Sequence, residues 1–126
     1  MLLENQLISR RRGLGVFFAA TLACGCGGTG STSCPNDLPT QCAAAAPSYA
    51  ASVQAVLTRA CASGCHEPGG VAAGKRLDTY ADVYRQRSAI LNQAYSCAMP
   101  PTGSTPLTAE GRALLLGWLV CGAPNN

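Results

Sequence analysis

The sequence is short of histidine, methionine and charged residues. Its 126 residues include one histidine and two methionines, and 12% of them are Asp, Glu, Lys or Arg. Because His66 is the sole histidine, a site within one chain cannot use two histidine side chains.

The basic residues do not form a nucleic-acid-binding pattern. Arg10 to Arg12 account for the basic balance of a chain whose formal net charge is +3. Beyond residue 25 six basic and five acidic residues remain, so the net charge there is 6 − 5 = +1. Nucleic-acid binding needs a clustered basic face, and we therefore expect no nucleic-acid partner.

The sequence also lacks an apolar run long enough to cross a bilayer, which takes about 20 residues. The apolar stretch 13–23 is short and follows three arginines. This order is typical of a signal peptide, which we predict over residues 1–25. Small residues precede Cys24 and Cys26, as in the lipobox of bacterial lipoproteins. We expect cleavage before one of these cysteines and a lipid anchor on it, with ordinary secretion as the alternative.

Cys61, Cys65 and His66 form the most informative motif of the chain. A histidine directly after the second of two closely spaced cysteines is the arrangement that attaches haem covalently. The two thiols add to the haem vinyl groups, and the adjoining imidazole lies under the iron. The common pattern has two residues between the cysteines, whereas this chain has the minority form with three. A Cys61–Cys65 disulfide beside a surface histidine is one alternative, and zinc is another, although structural zinc takes about four Cys or His ligands.

Met99 is the predicted second iron ligand. A low-spin electron-transfer haem takes a second strong ligand, usually Met or His. Met1 belongs to the predicted signal peptide, so Met99 is the only methionine expected in the mature protein. Pro100 and Pro101 follow it and restrict the backbone of this loop. We therefore predict one haem c, with His66 and Met99 as its axial ligands, and an ordinary packing methionine as the alternative.

Eight cysteines in a chain of this length are typical of an oxidising compartment such as the periplasm. With one assigned to lipid and two to haem, we expect four to form two disulfides. Sequence alone does not fix their connectivity. Cys34 and Cys42 flank a proline-rich loop and are one expected pair. Cys97 and Cys121 are the other, because their bond would tie the Met99 loop to the last helix.

The spacing of apolar residues predicts helices and no strand. One helix is expected over 47–61 and a second over about 79–93, with Asp78 as its N-cap. A third is expected over 108–122, with Thr108 as its N-cap and a glycine at its end.

Residues 26–46 are rich in Gly, Ser, Thr, Pro and Ala, which predicts a flexible tether before a domain at 47–126. About 80 residues with few bulky side chains make a thin core. A haem would fill that core, and each disulfide would stabilise it by about 2–4 kcal/mol. Trp118 and the tyrosines Tyr80, Tyr84 and Tyr95 are expected in the core rather than against a cofactor.

Residues 47–126 resemble the small c-type cytochromes, especially bacterial lipoproteins with a cytochrome c domain of the planctomycete-associated kind. The resemblance lies in Cys61, Cys65 and His66, in Met99 with the prolines after it, and in the closing helix. It implies a small all-α domain around one covalently bound haem. In that family the two cysteines carry the thioethers, and the histidine and methionine bind the iron.

We therefore predict a periplasmic, lipid-anchored monohaem cytochrome that exchanges single electrons with redox proteins. A filled sixth iron position leaves no place for a substrate, and His66 is not free for a Ser-His-acid set, so we expect no enzyme. One alternative is a haem-free, disulfide-stapled lipoprotein with a structural or interaction role. The other is a haem-based sensor in which Met99 dissociates.

Overall fold

A computed structural model of the protein describes residues 33–126. The predicted signal peptide and the candidate lipid sites Cys24 and Cys26 lie outside the described residues. Within them the chain forms three helices, a short 3-10 turn at Ala73–Lys75 and no strand. The prediction of an all-α fold is therefore confirmed.

The first helix, α1, consists of three consecutive parts. Tyr49–Val53 and Thr58–His66 are π-helical, and Gln54–Leu57 between them is α-helical. The helix begins where the hydroxyl of Ser48 accepts a hydrogen bond from the backbone N–H of Ala51, at 3.2 Å. A serine in this position satisfies an N–H that has no partner inside the helix.

A kink interrupts α1 just after Cys61, where the sequence predicted the end of the helix. Ser63 has extended backbone (φ −56°, ψ 118°), and Gly64 has φ 74°, a conformation that glycine adopts at little cost. The backbone N–H of Gly64 donates a hydrogen bond to the carboxylate of Glu67 at 2.7 Å. The turn therefore separates Cys61 from Cys65.

The second helix, α2, spans Tyr80–Tyr95. Its N-cap is Thr79, whose hydroxyl accepts a hydrogen bond from the backbone N–H of Asp82 at 3.2 Å. The prediction of Asp78 as the cap was wrong by one residue. The carboxylate of Asp78 instead accepts a hydrogen bond from the guanidinium of Arg76 at 2.7 Å.

The third helix, α3, spans Ala109–Val120, which lies within the predicted range 108–122. The hydroxyl of Thr108 accepts a hydrogen bond from the backbone N–H of Gly111 at 3.0 Å and so caps the helix. Gly122, with φ 84°, lies just beyond the last turn. A glycine with positive φ is a common end of a helix.

The three helices enclose a core that contains Trp118. This tryptophan is fully buried, and its ring centroid lies 5.5 Å from that of Tyr49 and 6.5 Å from that of Tyr80. Its indole N–H donates a hydrogen bond to the carbonyl of Pro124 at 2.9 Å, so its polar atom is satisfied. Trp118 is therefore a core residue, as predicted. The other large side chains that are fully buried are Val53, Leu57, Val83, Leu115 and Leu116.

Two disulfides connect the segment before α1 to the ends of α2 and α3. They are Cys34–Cys97, with an S–S distance of 2.00 Å, and Cys42–Cys121, with 2.03 Å. The four cysteines expected in disulfides do form them, but the predicted pairs Cys34–Cys42 and Cys97–Cys121 were wrong. That prediction paired each cysteine by its place along the sequence, whereas the fold brings the N-terminal segment alongside the two helix ends.

The segment 34–42 therefore belongs to the folded domain, although it falls within the predicted tether 26–46. Besides its disulfides, Asp37 forms an ion pair with Arg112 of α3 at 2.8 Å. Leu38 packs against the core. These contacts move the start of the folded domain from Pro47 to about Cys34.

The two disulfides indicate an oxidising, exported environment. Cys61 and Cys65, in contrast, are free thiols. None of the helices in residues 33–126 is both long and apolar enough to cross a membrane.

Candidate functional site

A largely apolar cavity of about 450 Å³ lies between the end of α1, one face of α2 and the loop before α3. Its volume is within the range of about 300–1,000 Å³ that small-molecule and cofactor sites occupy. All four sequence-predicted site residues line it: Cys61, Cys65, His66 and Met99. Residues up to 38 positions apart in the sequence are therefore brought to one cavity.

The imidazole of His66 is fixed by a hydrogen bond to the backbone. Its Nδ1 lies 2.7 Å from the carbonyl oxygen of Lys75, at the end of the 3-10 turn. A carbonyl can only accept a hydrogen bond, so Nδ1 carries the proton and the lone pair of the neutral ring is on Nε2. Histidines that bind metals are commonly held in this way by a carbonyl at the second nitrogen.

The chain between His66 and α2 folds back on the end of α1. The backbone N–H of Leu77 donates a hydrogen bond to the carbonyl of His66 at 2.8 Å, and that of Ala72 donates to the carbonyl of Cys65 at 2.9 Å. These two bonds hold the 3-10 turn against the motif. The position of the Lys75 carbonyl therefore follows from the local fold of this loop.

The two thiols of the motif are available for chemistry at the cavity. Cys61 and Cys65 are both partly buried and do not form the disulfide that was one alternative. Burial raises the pKa of the Cys61 thiol to about 11, with a smaller contribution from the neighbouring Cys65. At neutral pH Cys61 is therefore a protonated thiol in largely apolar surroundings.

Met99 lines the cavity on the loop that leaves α2. Its backbone N–H donates a hydrogen bond to the carbonyl of Gln93 at 3.1 Å, and its bond to Pro100 is cis. The residue is 41% exposed, and Pro100 and Pro101 beside it also line the cavity. The methionine is thus not the buried packing residue of the alternative interpretation.

One face of α2 contributes side chains that the sequence analysis did not assign to the site. Gln86, Ala89, Ile90 and Gln93 line the cavity. Their spacing of i, i+3, i+4 and i+7 is that of one helix face, and this spacing was visible in the sequence. Gln86 and Gln93 gave no signal of a site, because polar side chains usually lie on the solvent face of an amphipathic helix.

The cavity has little charge. Among the described residues that line it, Lys75 is the only lysine, arginine, aspartate or glutamate, and its side chain is exposed. The next residue, Arg76, does not line the cavity and pairs with Asp78. One lysine is therefore placed to balance negative charge on a bound group.

A zinc site of the usual kind is not formed in this part of the chain. Within residues 33–126 no three or more His, Cys, Asp or Glu side chains come close enough together to hold a metal ion. Structural zinc needs about four such ligands, so the site does not favour the zinc alternative.

No protein-family model matches this sequence, and no curated protein or solved structure is significantly similar to it. The resemblance to c-type cytochromes therefore stays a prediction, based on the residues named above.

Proposed function

We propose that this protein is a monohaem c-type cytochrome that carries single electrons outside the cytoplasm. The observation that supports this most is the meeting of Cys61, Cys65, His66 and Met99 at one largely apolar cavity. A covalent, six-coordinate haem needs two free thiols, one imidazole with a defined protonation and one thioether. The lining of the cavity thus fits this cofactor.

Each residue has a distinct role in the proposal. The thiols of Cys61 and Cys65 would hold the haem as thioethers, each formed by addition of S–H across one vinyl double bond, which needs no oxidant. His66 offers Nε2 to the iron, while Nδ1 stays bonded to the Lys75 carbonyl. Met99 offers its sulfur from the loop after α2. When bound, the haem supplies a one-electron Fe(III)/Fe(II) couple.

The rest of the cavity sets the environment of the cofactor. Ile90 and Leu115 are buried side chains that exclude water from its inner wall. Lys75 provides positive charge at its edge. A neutral histidine and a methionine as ligands favour a higher reduction potential than stronger donor sets. With His66 and Met99 both bound to the iron, no position would be open for a substrate, so the proposed role is that of an electron carrier and not of an enzyme.

The predicted location completes the proposal. The signal peptide and a lipid on Cys24 or Cys26 would hold the domain at the periplasmic side of a bacterial membrane, where redox proteins are its donor and acceptor. The oxidised cysteines of the domain agree with such a compartment. The intact mass of protein extracted from membranes would show the lipid as an increment on one of the two cysteines.

The test of the proposed function is haem attachment. The full chain is expressed with haem-attachment machinery and examined by pyridine haemochrome spectrum and by haem staining after denaturing electrophoresis. We expect a stained band that acid-acetone extraction does not clear. Cys61→Ser and Cys65→Ser should each lose one thioether, and the double variant should lose covalent haem.

Ser63→Ala is the matched control, because Ser63 is exposed and lies between the two cysteines. This variant should retain the full haem content. A wild-type band without haem would overturn the proposal and favour the haem-free, disulfide-stapled lipoprotein.

A haem-based sensor is the second candidate, and the exposure of Met99 favours it. A methionine that is 41% exposed on a loop can leave the iron more easily than a buried one. A sensor would bind carbon monoxide readily in its reduced form, whereas an electron carrier with a firmly bound methionine would not.

A further inference from the structure

Arg112 of α3 joins three parts of the chain at one buried point. The residue is 6% exposed, and its Nε and Nη2 donate hydrogen bonds to the carboxylate of Asp37 at 2.8 Å. Its Nη2 also donates to the carbonyl of Tyr95 at 2.9 Å, and its Nη1 donates to the carbonyl of Ala94. Arg112 therefore binds the N-terminal segment and the last turn of α2 together.

The last turn of α2 is also where the Met99 loop is attached. The backbone N–H of Met99 donates to the carbonyl of Gln93, and that of Cys97 donates to the carbonyl of Ala94, both at 3.1 Å. The sulfur of Cys97 lies 3.5 Å from Nη1 of Arg112. Arg112 and the Met99 loop thus share the same helix end.

The geometry of this helix end requires an arginine. The last carbonyls of a helix have no partner within the helix, and Ala94 and Tyr95 are the residues concerned here. The guanidinium presents five N–H donors in a rigid, planar fork. It donates two hydrogen bonds to the Asp37 carboxylate and one to each of two successive carbonyls, and these four bonds exceed the three donors of a lysine.

We propose that Arg112 is a positioning residue for Met99: by fixing the end of α2, it holds the methionine loop at the cavity. The role of Met99 as an iron ligand rests on the proposed function, but the attachment of its loop does not. Arg112 does not line the cavity and forms no hydrogen bond with Met99, so it acts through Ala94 and the loop backbone. The alternative is that Arg112 only stabilises the fold as a whole.

The first arm of the test uses the haem-free protein and the exchange of backbone amide hydrogens. In Arg112→Lys the amide of Met99 should exchange about tenfold faster than in the wild type, a factor that corresponds to loss of one charge-assisted hydrogen bond. The amide of Leu77, which is bonded to the carbonyl of His66 and not to the end of α2, should change little. Equal acceleration at both amides, or none at Met99, would overturn the proposal.

Two further variants keep the test decisive. Asp37→Asn leaves the arginine in place but removes its counter-charge. It should also accelerate hydrogen exchange at the Met99 amide, by a smaller factor than Arg112→Lys does. This variant decides the matter if Arg112→Lys does not fold. Arg85→Lys is the control, because Arg85 forms only an exposed pair with Asp82 and should leave the Met99 amide unchanged.

The second arm uses the haem-loaded protein. Arg112→Lys should keep covalent haem but weaken the sulfur-to-iron absorption band, lower the reduction potential and increase carbon monoxide binding by the reduced form. If Arg112→Lys accelerates exchange at the Met99 amide in the haem-free protein and yet leaves the spectrum, potential and carbon monoxide binding of the haem-loaded protein unchanged, that result would show that Met99 is no ligand. In that case the proposed function loses its distal ligand, while the positioning of the loop stands on the exchange data.

Discussion

The backbone of Gly70 lies directly against the backbone of Cys65, the second cysteine of the motif. A Cβ atom at position 70 would overlap the Cys65 carbonyl oxygen and lie 2.8 Å from its carbonyl carbon. Real side chains do not approach a backbone so closely, so only glycine fits here. The loop that follows the motif can therefore fold back on Cys65 and His66 only with glycine at this position.

Gly70→Ala should displace this loop and destabilise the domain by about 1–3 kcal/mol, the range for overpacking a tight site. We expect lower haem incorporation as well, since the loop holds the Lys75 carbonyl that fixes His66. Urea unfolding and the pyridine haemochrome spectrum measure the two effects.

Gly74→Ala is the matched control for this prediction. A Cβ at Gly74 would meet nothing within 4 Å, and its backbone is not in the left-handed region. The control should unfold at the wild-type urea concentration. Equal effects of the two alanine variants would contradict the importance of the contact between Gly70 and Cys65.

The connectivity of the disulfides is the second prediction. Proteolysis under non-reducing conditions should release one peptide pair that contains Cys34 and Cys97 and another that contains Cys42 and Cys121. Replacing Cys42 and Cys121 together by serine should cost about 2–5 kcal/mol in the free energy of unfolding, as loss of a native disulfide does in small secreted domains. Recovery of a Cys34–Cys42 peptide would contradict the structure.

Much of this structure could be predicted from the sequence because local signals specify it. The cap and end of α3 follow from Thr108 and Gly122, and the four residues at the cavity follow from a motif and the only methionine outside the predicted signal peptide. The disulfide pairing could not be predicted, because it depends on long-range packing between the N-terminal segment and the helix ends. The contacts of Arg112 could not be predicted either, since its partners Asp37 and Ala94 are 75 and 18 residues away.

The pH dependence of stability should reflect Asp37. The hydrogen bonds from the Arg112 guanidinium hold the pKa of this carboxyl below its usual value, against a smaller opposing effect of burial. A lowered pKa in the folded state means that the pair stabilises the protein above about pH 4 and that this stability is lost as the pH falls through the lowered pKa.

Asp37→Asn tests this by urea unfolding at a series of pH values. The stability difference between wild type and variant should be largest near neutral pH and should shrink on acidification. Glu110→Gln is the control, because Glu110 is an exposed carboxylate in the first turn of the same helix. A difference for Asp37→Asn that stays constant down to low pH would show that the ion pair is not what the substitution removes.

The raised pKa of Cys61 predicts slow alkylation in the folded, haem-free protein. A pKa of about 11 in place of 9.0 leaves about a hundredfold less thiolate at pH 8, and the thiolate is the form that reacts. Iodoacetamide labelling followed by peptide mass analysis should therefore show slow modification of Cys61, which accelerates as the pH approaches 11. The same protein in denaturant is the control and should react faster at pH 8. Equal rates in the two states would mean that the thiol is not desolvated.

Met99 decides between a firmly ligated electron carrier and the alternatives, and Met99→Leu is the sharpest test of its role. Leucine is close to methionine in volume, so the substitution should cost less than about 1.5 kcal/mol in stability, yet it removes the sulfur. In the haem-loaded protein we expect the sulfur-to-iron band to vanish, the reduction potential to fall and the reduced form to bind carbon monoxide.

Val71→Ala is the matched control, because Val71 also lines the cavity and is 91% exposed but offers no ligand atom. Met99→His should restore six-coordination at a lower potential, which would show that the loop can place a ligand at the iron. If Met99→Leu and Val71→Ala both keep the wild-type spectrum and potential, Met99 is not an iron ligand and the distal ligand must be sought elsewhere.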